Sequence, residues 1–235
     1  MADPEKELLA EFSKQWEGIA KPTATGLTRL MNGAKDREDL AKSKQVLSYD
    51  DLTHTYTLGD RVIPSVTQIL SRGGFINDTS FYTREACDRG RAVHTAIQYW
   101  HEDDLDPESI ALEYTGYVGA FMQFVHKTGY EREFNEKLVY SPSQDYAGRA
   151  DLIGRLNGRR VLIDIKTGKA PKWVGAQLAG YGLALAEMGY PIRSRFCLEL
   201  RPDLTYTLTA HNEPSAMGQF FEALNVSRGM TTWQI

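Results

Sequence analysis

The order of the predicted elements indicates a mixed α and β fold with an antiparallel hairpin near its middle. Asn157-Gly158 lies between two apolar runs, and this dipeptide favours a two-residue type I′ turn. Runs at about 194–200 and 204–210 predict further strands. Helical patterning covers residues 80–101, 107–128, 172–189 and a stretch from about 214. The chain is therefore expected to be α/β, with a mostly β section over 132–166.

The beginning of the chain is expected to form an arm outside the main domain. Residues 4–19 carry apolar side chains at helical spacing, and KPTATG then interrupts the pattern. Residues 1–44 are interpreted as an N-terminal helical arm and residues 45–235 as one domain. Within the domain, Gly59-Asp60 is a turn signal for a hairpin that leads through Pro64 into a short helix from Ser65.

Composition and charge argue against several classes of protein. The 235 residues are 42% hydrophobic, enough for a sizeable core, and no run of about 18 apolar residues predicts a membrane span. The N-terminus lacks the apolar core of a signal peptide, and Cys87 and Cys197 match no zinc or disulfide pattern, which favours a reducing, cytoplasmic setting. The net charge of −4 argues against a protein that coats nucleic acid, but it allows one local basic groove.

Basic residues are concentrated around the predicted hairpin. They are Arg155, Arg159, Arg160, Lys166, Lys169 and Lys172. A solvated face is the alternative interpretation of this concentration, in particular for Arg159 and Arg160.

The hairpin carries the residues that point to chemistry. If the loop is 157–158, the numbers of paired residues sum to 315, so that Asp151 faces Asp164 directly. Because side chains alternate along a strand, Lys166 lies on the same face as Asp164. Opposed side chains have Cβ atoms roughly 5 Å apart, and two carboxylates at that distance repel unless a cation lies between them. We therefore predict a divalent metal site, with Lys166 placed to reach a phosphate oxygen or the attacking water.

Two structural alternatives remain for the same residues. One is a surface hairpin with scattered charges, against which the apolar residues Val161 to Ile163 and Ile165 argue. The other is a buried Asp164–Lys166 salt bridge, which would leave Asp151 unexplained.

The pattern resembles the PD-(D/E)XK nuclease superfamily and its RecB-like exonuclease branch, of the phage and mitochondrial single-strand exonuclease type. Asp151 followed by Asp164-Ile165-Lys166 matches the superfamily motif. Gln177 and Tyr181 match the Gln-x-x-x-Tyr of the branch, and Gly90 and His94 match its Gly-x-x-x-His. The stretch HTYTLGDRVIPSVTQIL is similar to the opening segment of these exonucleases. The resemblance covers roughly residues 46–233, and the order and spacing of the motifs are more specific than any one of them.

The resemblance implies a restriction-endonuclease-like core, with a central mixed β-sheet flanked by helices, and hydrolysis of DNA phosphodiester bonds with Mg²⁺ or Mn²⁺. It implies metal ligation by His94, Asp151, Asp164 and the backbone carbonyl of Ile165. It implies catalytic roles for Lys166 with Asp151 and Asp164, and for Gln177, Tyr181 and Glu136 in orienting the site or touching DNA. The opening-segment residues His54, Tyr56, Ser65 and Thr67 are expected to shape the site or bind a phosphate. The expected partners are single-stranded DNA or DNA ends, and recombination or replication proteins acting in trans, in the host cytoplasm if the protein is viral.

Several alternatives stay open. His94 could be a core residue on an apolar helix face, and Glu136 could be a solvated strand start. The chain could also be a catalytically inactive DNA-binding module on a nuclease fold, or a small-molecule phosphohydrolase. Exonuclease or endonuclease action, polarity, strand preference, the number of metal ions and the oligomeric state are not fixed by these residues.

Overall fold

The structure, a computed structural model, describes residues 46–77 and 83–229. The predicted arm at 1–44 lies outside these residues. Within them the small sheet contains β1 (Leu47–Asp50), β2 (Thr55–Leu58) and β3 (Arg61–Ile63). The large sheet contains β4 (Glu131–Ser141), β5 (Tyr146–Leu156), β6 (Arg159–Lys166), β7 (Ser194–Leu200) and β8 (Tyr206–Ala210). The helices are α1 (Val66–Arg72), α2 (Arg84–His101), α3 (Leu112–Thr128), α4 (Val174–Glu187) and α5 (Pro214–Ser227), with a 3₁₀ turn at Pro107–Ser109.

The large sheet is mixed and has the strand order β4-β5-β6-β7-β8. Neighbouring strands are antiparallel except β6 and β7, which are parallel. A parallel pair needs a crossover connection, and α4 provides it between these two strands. The α/β fold with a central mixed sheet flanked by helices is therefore confirmed, with β5 and β6 among its middle strands.

The turn between β5 and β6 has the predicted geometry. Asn157 has φ 51° and Gly158 has φ 72°, the pair of left-handed conformations that a type I′ turn requires. The register runs from Leu156 opposite Arg159 to Leu152 opposite Ile163, so the paired numbers sum to 315 as predicted.

Strand β6 is buried on both faces. Leu162 packs with residues of α4 and α5 on one side of the sheet, and Ile163 packs with residues of α2 and α3 on the other. Both side chains are fully buried. The surface-hairpin alternative is therefore wrong, and charges farther along β6 enter an apolar environment.

The small sheet leads into α1 and packs against the β4–β5 hairpin. Ser65 caps α1 in a capping box with Gln68, which explains why the helix begins there. The carbonyl of Pro64 accepts a hydrogen bond from the backbone N–H of Ala147 at 2.9 Å. No helix among residues 46–77 and 83–229 is long and apolar enough to cross a membrane.

Candidate metal and catalytic site

The candidate site lies where β5 and β6 stop pairing. Among the described residues, the register ends at Leu152–Ile163 and does not extend to Asp151–Asp164. Instead, Oδ2 of Asp151 accepts a hydrogen bond of 2.7 Å from the backbone N–H of Ile165. The carboxylate thus replaces a backbone acceptor of the partner strand. The predicted face-to-face pairing of the two aspartates is replaced by this side-chain link, which holds Asp151 against β6.

Three side chains from different elements form a group of metal-type ligands. One ligand atom each of His94 on α2, Glu136 on β4 and Asp151 on β5 lie within 4.8 Å of one another. Nδ1 of His94 is 3.0 Å from Oε1 of Glu136, and Nε2 is 3.9 Å from Oδ2 of Asp151. The structure thus brings His94 and Asp151 together as predicted. Glu136, expected only in a catalytic role, joins them, whereas Asp164 lies outside the group.

The backbone of Glu136 explains how its side chain reaches this position. Its φ is 48°, a left-handed conformation that costs a non-glycine residue about 1–3 kcal/mol. Its neighbours Asn135 and Lys137 pair with β5, whereas Glu136 itself is left out of the ladder. Such strain within a strand is typical of functional sites. The solvated strand start considered from the sequence does not fit a carboxylate whose side chain is only 15% exposed.

The three groups create an unusual electrostatic environment. Burial lowers the pKa of His94, but the charge of Asp151 and the hydrogen bond with Glu136 outweigh it and raise the pKa to about 9. Burial raises the pKa of Asp151, and the neighbouring Glu136 raises it further. The carboxylates therefore favour a positive charge between them, which a proton on His94 or a cation can supply.

Asp164 and Lys166 form a second unit beside this group. Nζ of Lys166 lies 2.6 Å from Oδ2 of Asp164, and the Asp164 side chain is 3% exposed. The contact is a short, charge-assisted ion pair between two largely buried side chains. Burial and then the charge of Asp151 hold the pKa of Asp164 above its usual range. Burial lowers the pKa of Lys166, but Asp164 and Asp151 more than reverse the effect. The buried salt bridge considered from the sequence is therefore present, directly beside Asp151.

Helix α4 contributes a buried polar pair to the same face. Nε2 of Gln177 donates to the hydroxyl of Tyr181 at 3.1 Å, and Oε1 of Gln177 is buried without a partner among the described residues. Burial, followed by Asp151 and Asp164, raises the pKa of Tyr181, which places this hydroxyl near both carboxylates. A Cβ at Gly148 would overlap the Tyr181 ring, so glycine at 148 allows this close approach.

Arg149 is a neighbour of the site whose role the sequence did not indicate. Its Nε lies 2.9 Å from Oε2 of Glu136, and its Nη1 lies 3.1 Å from Oδ1 of Asp51. The guanidinium group is 4.8 Å from the centre of the Tyr49 ring. Residues of the small sheet and its first turn thereby hold the positively charged guanidinium of Arg149 against Glu136, one of the metal-type ligands. The only sequence signal was its place on the face shared with Asp151.

The opening-segment residues do not belong to the group of metal-type ligands. Nδ1 of His54 is 2.7 Å from the hydroxyl of Tyr49, whose ring packs 4.5 Å from that of Tyr56. Ser65 is the cap of α1, and Thr67 is exposed on that helix. Their predicted contacts with phosphate remain predictions.

One imidazole and two carboxylates suit a divalent cation such as Mn²⁺ or Mg²⁺. The observation behind this fit is the approach of two carboxylates to one imidazole in a partly buried setting, where like charges need compensation. Ligation by Asp164, expected from the hairpin and from the resemblance, and ligation by the carbonyl of Ile165, expected from the resemblance alone, remain predictions.

Comparisons with known proteins add little to the geometry. No protein-family model and no curated protein matches the chain. A solved structure titled "Crystal structure of SSO0001" is similar at 19% identity, covering 63% of this chain and 73% of that chain with a TM-score of 0.32. That likeness is too low to support an argument about fold or function.

Proposed function

We propose that this chain is a metal-dependent deoxyribonuclease, and specifically an exonuclease that acts in DNA processing or recombination. The observation that carries the proposal is the convergence of His94, Glu136 and Asp151 within 4.8 Å beside the buried Asp164–Lys166 pair. The motif resemblance to RecB-like nucleases, with their restriction-endonuclease-like core, supports the same reaction.

Each residue has a separate role in this proposal. His94, Glu136 and Asp151 would hold Mg²⁺ or Mn²⁺, with Asp164 and the Ile165 carbonyl as further candidates. A bound cation would acidify a water molecule and stabilise negative charge on the phosphate.

Lys166 places a positive charge beside that centre, where it orients the attacking water or a phosphate oxygen. Asp164 fixes the direction of the ammonium group, since the two atoms are 2.6 Å apart. Arg149 partly compensates the charge of Glu136, and the Gln177–Tyr181 pair presents a hydroxyl near the aspartates. No nucleophilic side chain is required in this scheme. The free cysteines Cys87 and Cys197 are compatible with action in the cytoplasm.

The test is incubation with single- and double-stranded DNA in Mg²⁺, Mn²⁺ or EDTA, beside an Asp151→Asn variant. We expect cleavage in the presence of metal, its loss in EDTA, and its loss in the variant. Comparison of end-labelled linear DNA with a closed circle tests the exonuclease assignment, since an exonuclease leaves the circle intact. DNA binding without cleavage in either metal would instead support the inactive binding module.

A further inference from the structure

A pocket opens at the carboxyl ends of the parallel strands β6 and β7. Its volume is about 430 Å³, within the usual range for small-molecule sites and enough for about one nucleotide. It is lined by Tyr117, Thr167, Gly168, Lys169, Glu199, Leu200, Arg201 and Pro202. The carboxyl ends of parallel strands are a common place for ligands in α/β proteins.

Two cationic side chains, Lys169 and Arg201, line this pocket, and a third, Arg89, contacts its lining residues Thr167 and Tyr117. Lys169 is exposed and makes no hydrogen bond or ion pair with another described residue. Arg201 is held in place, with Nη2 donating to Oγ1 of Thr207 at 2.6 Å. Arg89 on α2 donates from Nε to Oγ1 of Thr167 at 3.3 Å, and its guanidinium lies 5.6 Å from the centre of the Tyr117 ring. Two guanidinium groups are thus preorganised and one ammonium group is free.

The acidic residue of the lining does not neutralise these charges. Oε1 of Glu199 accepts a hydrogen bond of 2.5 Å from the backbone N–H of Ala170, and its Oε2 lies 3.6 Å from Arg201. The lining therefore carries one carboxylate and two cations, with Arg89 adjoining, and an anionic ligand would be attracted.

The pocket adjoins the candidate catalytic unit. Thr167 directly follows Lys166, which is itself aligned with Glu199 in the β6–β7 register. A DNA strand whose reacting phosphate lies near Lys166 would place a neighbouring phosphate close to Lys169.

We propose that this pocket is a phosphate-binding subsite that holds the phosphate next to the one being cleaved. Lys169 supplies a mobile charge, and Arg201 and Arg89 supply fixed donors. The inference rests on the proposed nuclease function for the identity of the strand, and its chemistry is that of a nucleotide phosphate, either terminal or internal.

The experiment measures binding of fluorescent short oligothymidylate in EDTA, with either a 5′-phosphate or a 5′-hydroxyl, over about 50 to 200 mM salt. Lys169→Ala is compared with Arg159→Ala. Arg159 is also exposed but lies at the opposite end of β6, roughly 20 Å or more away. Both variants remove one positive charge, so the comparison separates a local contact from a change in net charge.

We expect Lys169→Ala to raise Kd about fivefold and Arg159→Ala to leave it nearly unchanged. The salt slope for single strands should fall by about 0.7 in magnitude for Lys169→Ala alone. Lys169→Arg should restore most of the affinity. A larger effect on the 5′-phosphorylated oligonucleotide identifies a terminal phosphate, and equal effects identify an internal one.

Equal affinities and salt slopes for the two alanine variants would overturn the subsite, as would absence of binding by the parent protein. Cleavage of DNA, measured in parallel reactions that contain metal, tests the proposed nuclease function separately. Lys169-dependent binding without any cleavage keeps the subsite and refutes the nuclease. Cleavage by the parent protein, together with unchanged DNA binding by Lys169→Ala, keeps the nuclease function and refutes the subsite.

Discussion

The two ends of the β5–β6 hairpin differ in what their residues do. Near the turn, pairs such as Ile153–Leu162 are in register and pack as apolar core. At the other end the ladder stops, Asp151 bonds to the backbone of β6, and Asp164 is buried beside Lys166. The first end has the properties that stabilise a fold. The second carries buried charges, which cost free energy and therefore indicate a function.

The contrast also appears in how each end relates to its surroundings. The structure of the turn end requires only side chains that alternate between the two faces of the strands and a type I′ turn. The other end depends on side chains from α2 and β4, since His94 and Glu136 complete its ligand group. We therefore expect substitutions near the turn to change stability, and substitutions at the end with Asp151 and Asp164 to change activity.

The largest expected effect is on Lys166. Lys166→Ala keeps every carboxylate, so metal binding should survive or tighten, whereas turnover should fall by a factor on the order of a hundred or more. Lys166→Arg should restore it only in part, because guanidinium is larger and planar. The measurement is the single-turnover rate of cleavage, with Lys127→Ala at an exposed lysine of α3 as control. Cleavage at the parent rate by Lys166→Ala would mean that this lysine is structural.

Stability should separate the two ends most directly. Leu162→Ala creates a cavity in the core and should lower the free energy of unfolding by about 2–5 kcal/mol. Replacing the charged pair together, as Asp164→Leu with Lys166→Met, should leave it unchanged or raise it by up to about 4 kcal/mol while abolishing cleavage. Urea denaturation measures both. A large loss of stability in the double variant would show that the ion pair serves the fold.

Stabilisation by a bound metal ion distinguishes a ligand role for His94 from the core role of its neighbour Val93. A cation at a hundred times its Kd stabilises a protein by about 2.7 kcal/mol, so Mn²⁺ should raise the parent's melting temperature over that in EDTA. His94→Ala should lose most of that increase, whatever its melting temperature in EDTA. Val93→Ala, at a fully buried core position, should melt lower and keep the increase. If the two variants behaved alike, His94 would be a core residue.

His101, on the same helix α2, shows what burial does to a histidine away from the site. Burial lowers its pKa to about 3, and Arg132 adds to the effect, with Asn135 as its polar neighbour. Because the folded pKa lies below the unfolded value, stability is present above about pH 6.5 and is lost as the pH falls toward 3. The loss at pH 5 should be about 2 kcal/mol.

Denaturation at a series of pH values checks this dependence. His101→Phe should reduce the loss of unfolding free energy at acid pH (the acid limb of the curve of stability against pH). Phenylalanine can pack against the ring of Phe121 but does not titrate. His126→Gln, at an exposed position of α3, should not change it. An unaltered acid limb in His101→Phe would assign the dependence to other groups.

The smallest effect is expected at the turn itself. A Cβ at Gly158 would meet nothing within 4 Å, so Gly158→Ala tests only the φ of 72° and should cost about 1–2 kcal/mol. Gly218→Ala, in open space on helix α5, should instead stabilise by about 0.5–1 kcal/mol. Cleavage should be unchanged in both. Reduced cleavage by Gly158→Ala would show that the turn end is coupled to the site.

The sequence by itself determined the hairpin and much of its chemistry. Asn157-Gly158 specified the turn, the turn specified the register, and alternation placed Asp164 and Lys166 on one face. The helix that carries Gln177 and Tyr181 followed from its own periodicity. These features depend on residues close in the chain, through backbone conformations and side-chain directions that neighbours fix.

Only the tertiary structure decided which ligand-type groups meet. His94 and Glu136 are 42 residues apart, and their contact depends on how α2 packs against β4. The left-handed Glu136, the end of the β5–β6 ladder at Asp151 and the contact between Arg149 and Glu136 have no local sequence signal. They arise where packing between distant elements outweighs local preference, and such strain persists only because the surrounding structure holds it.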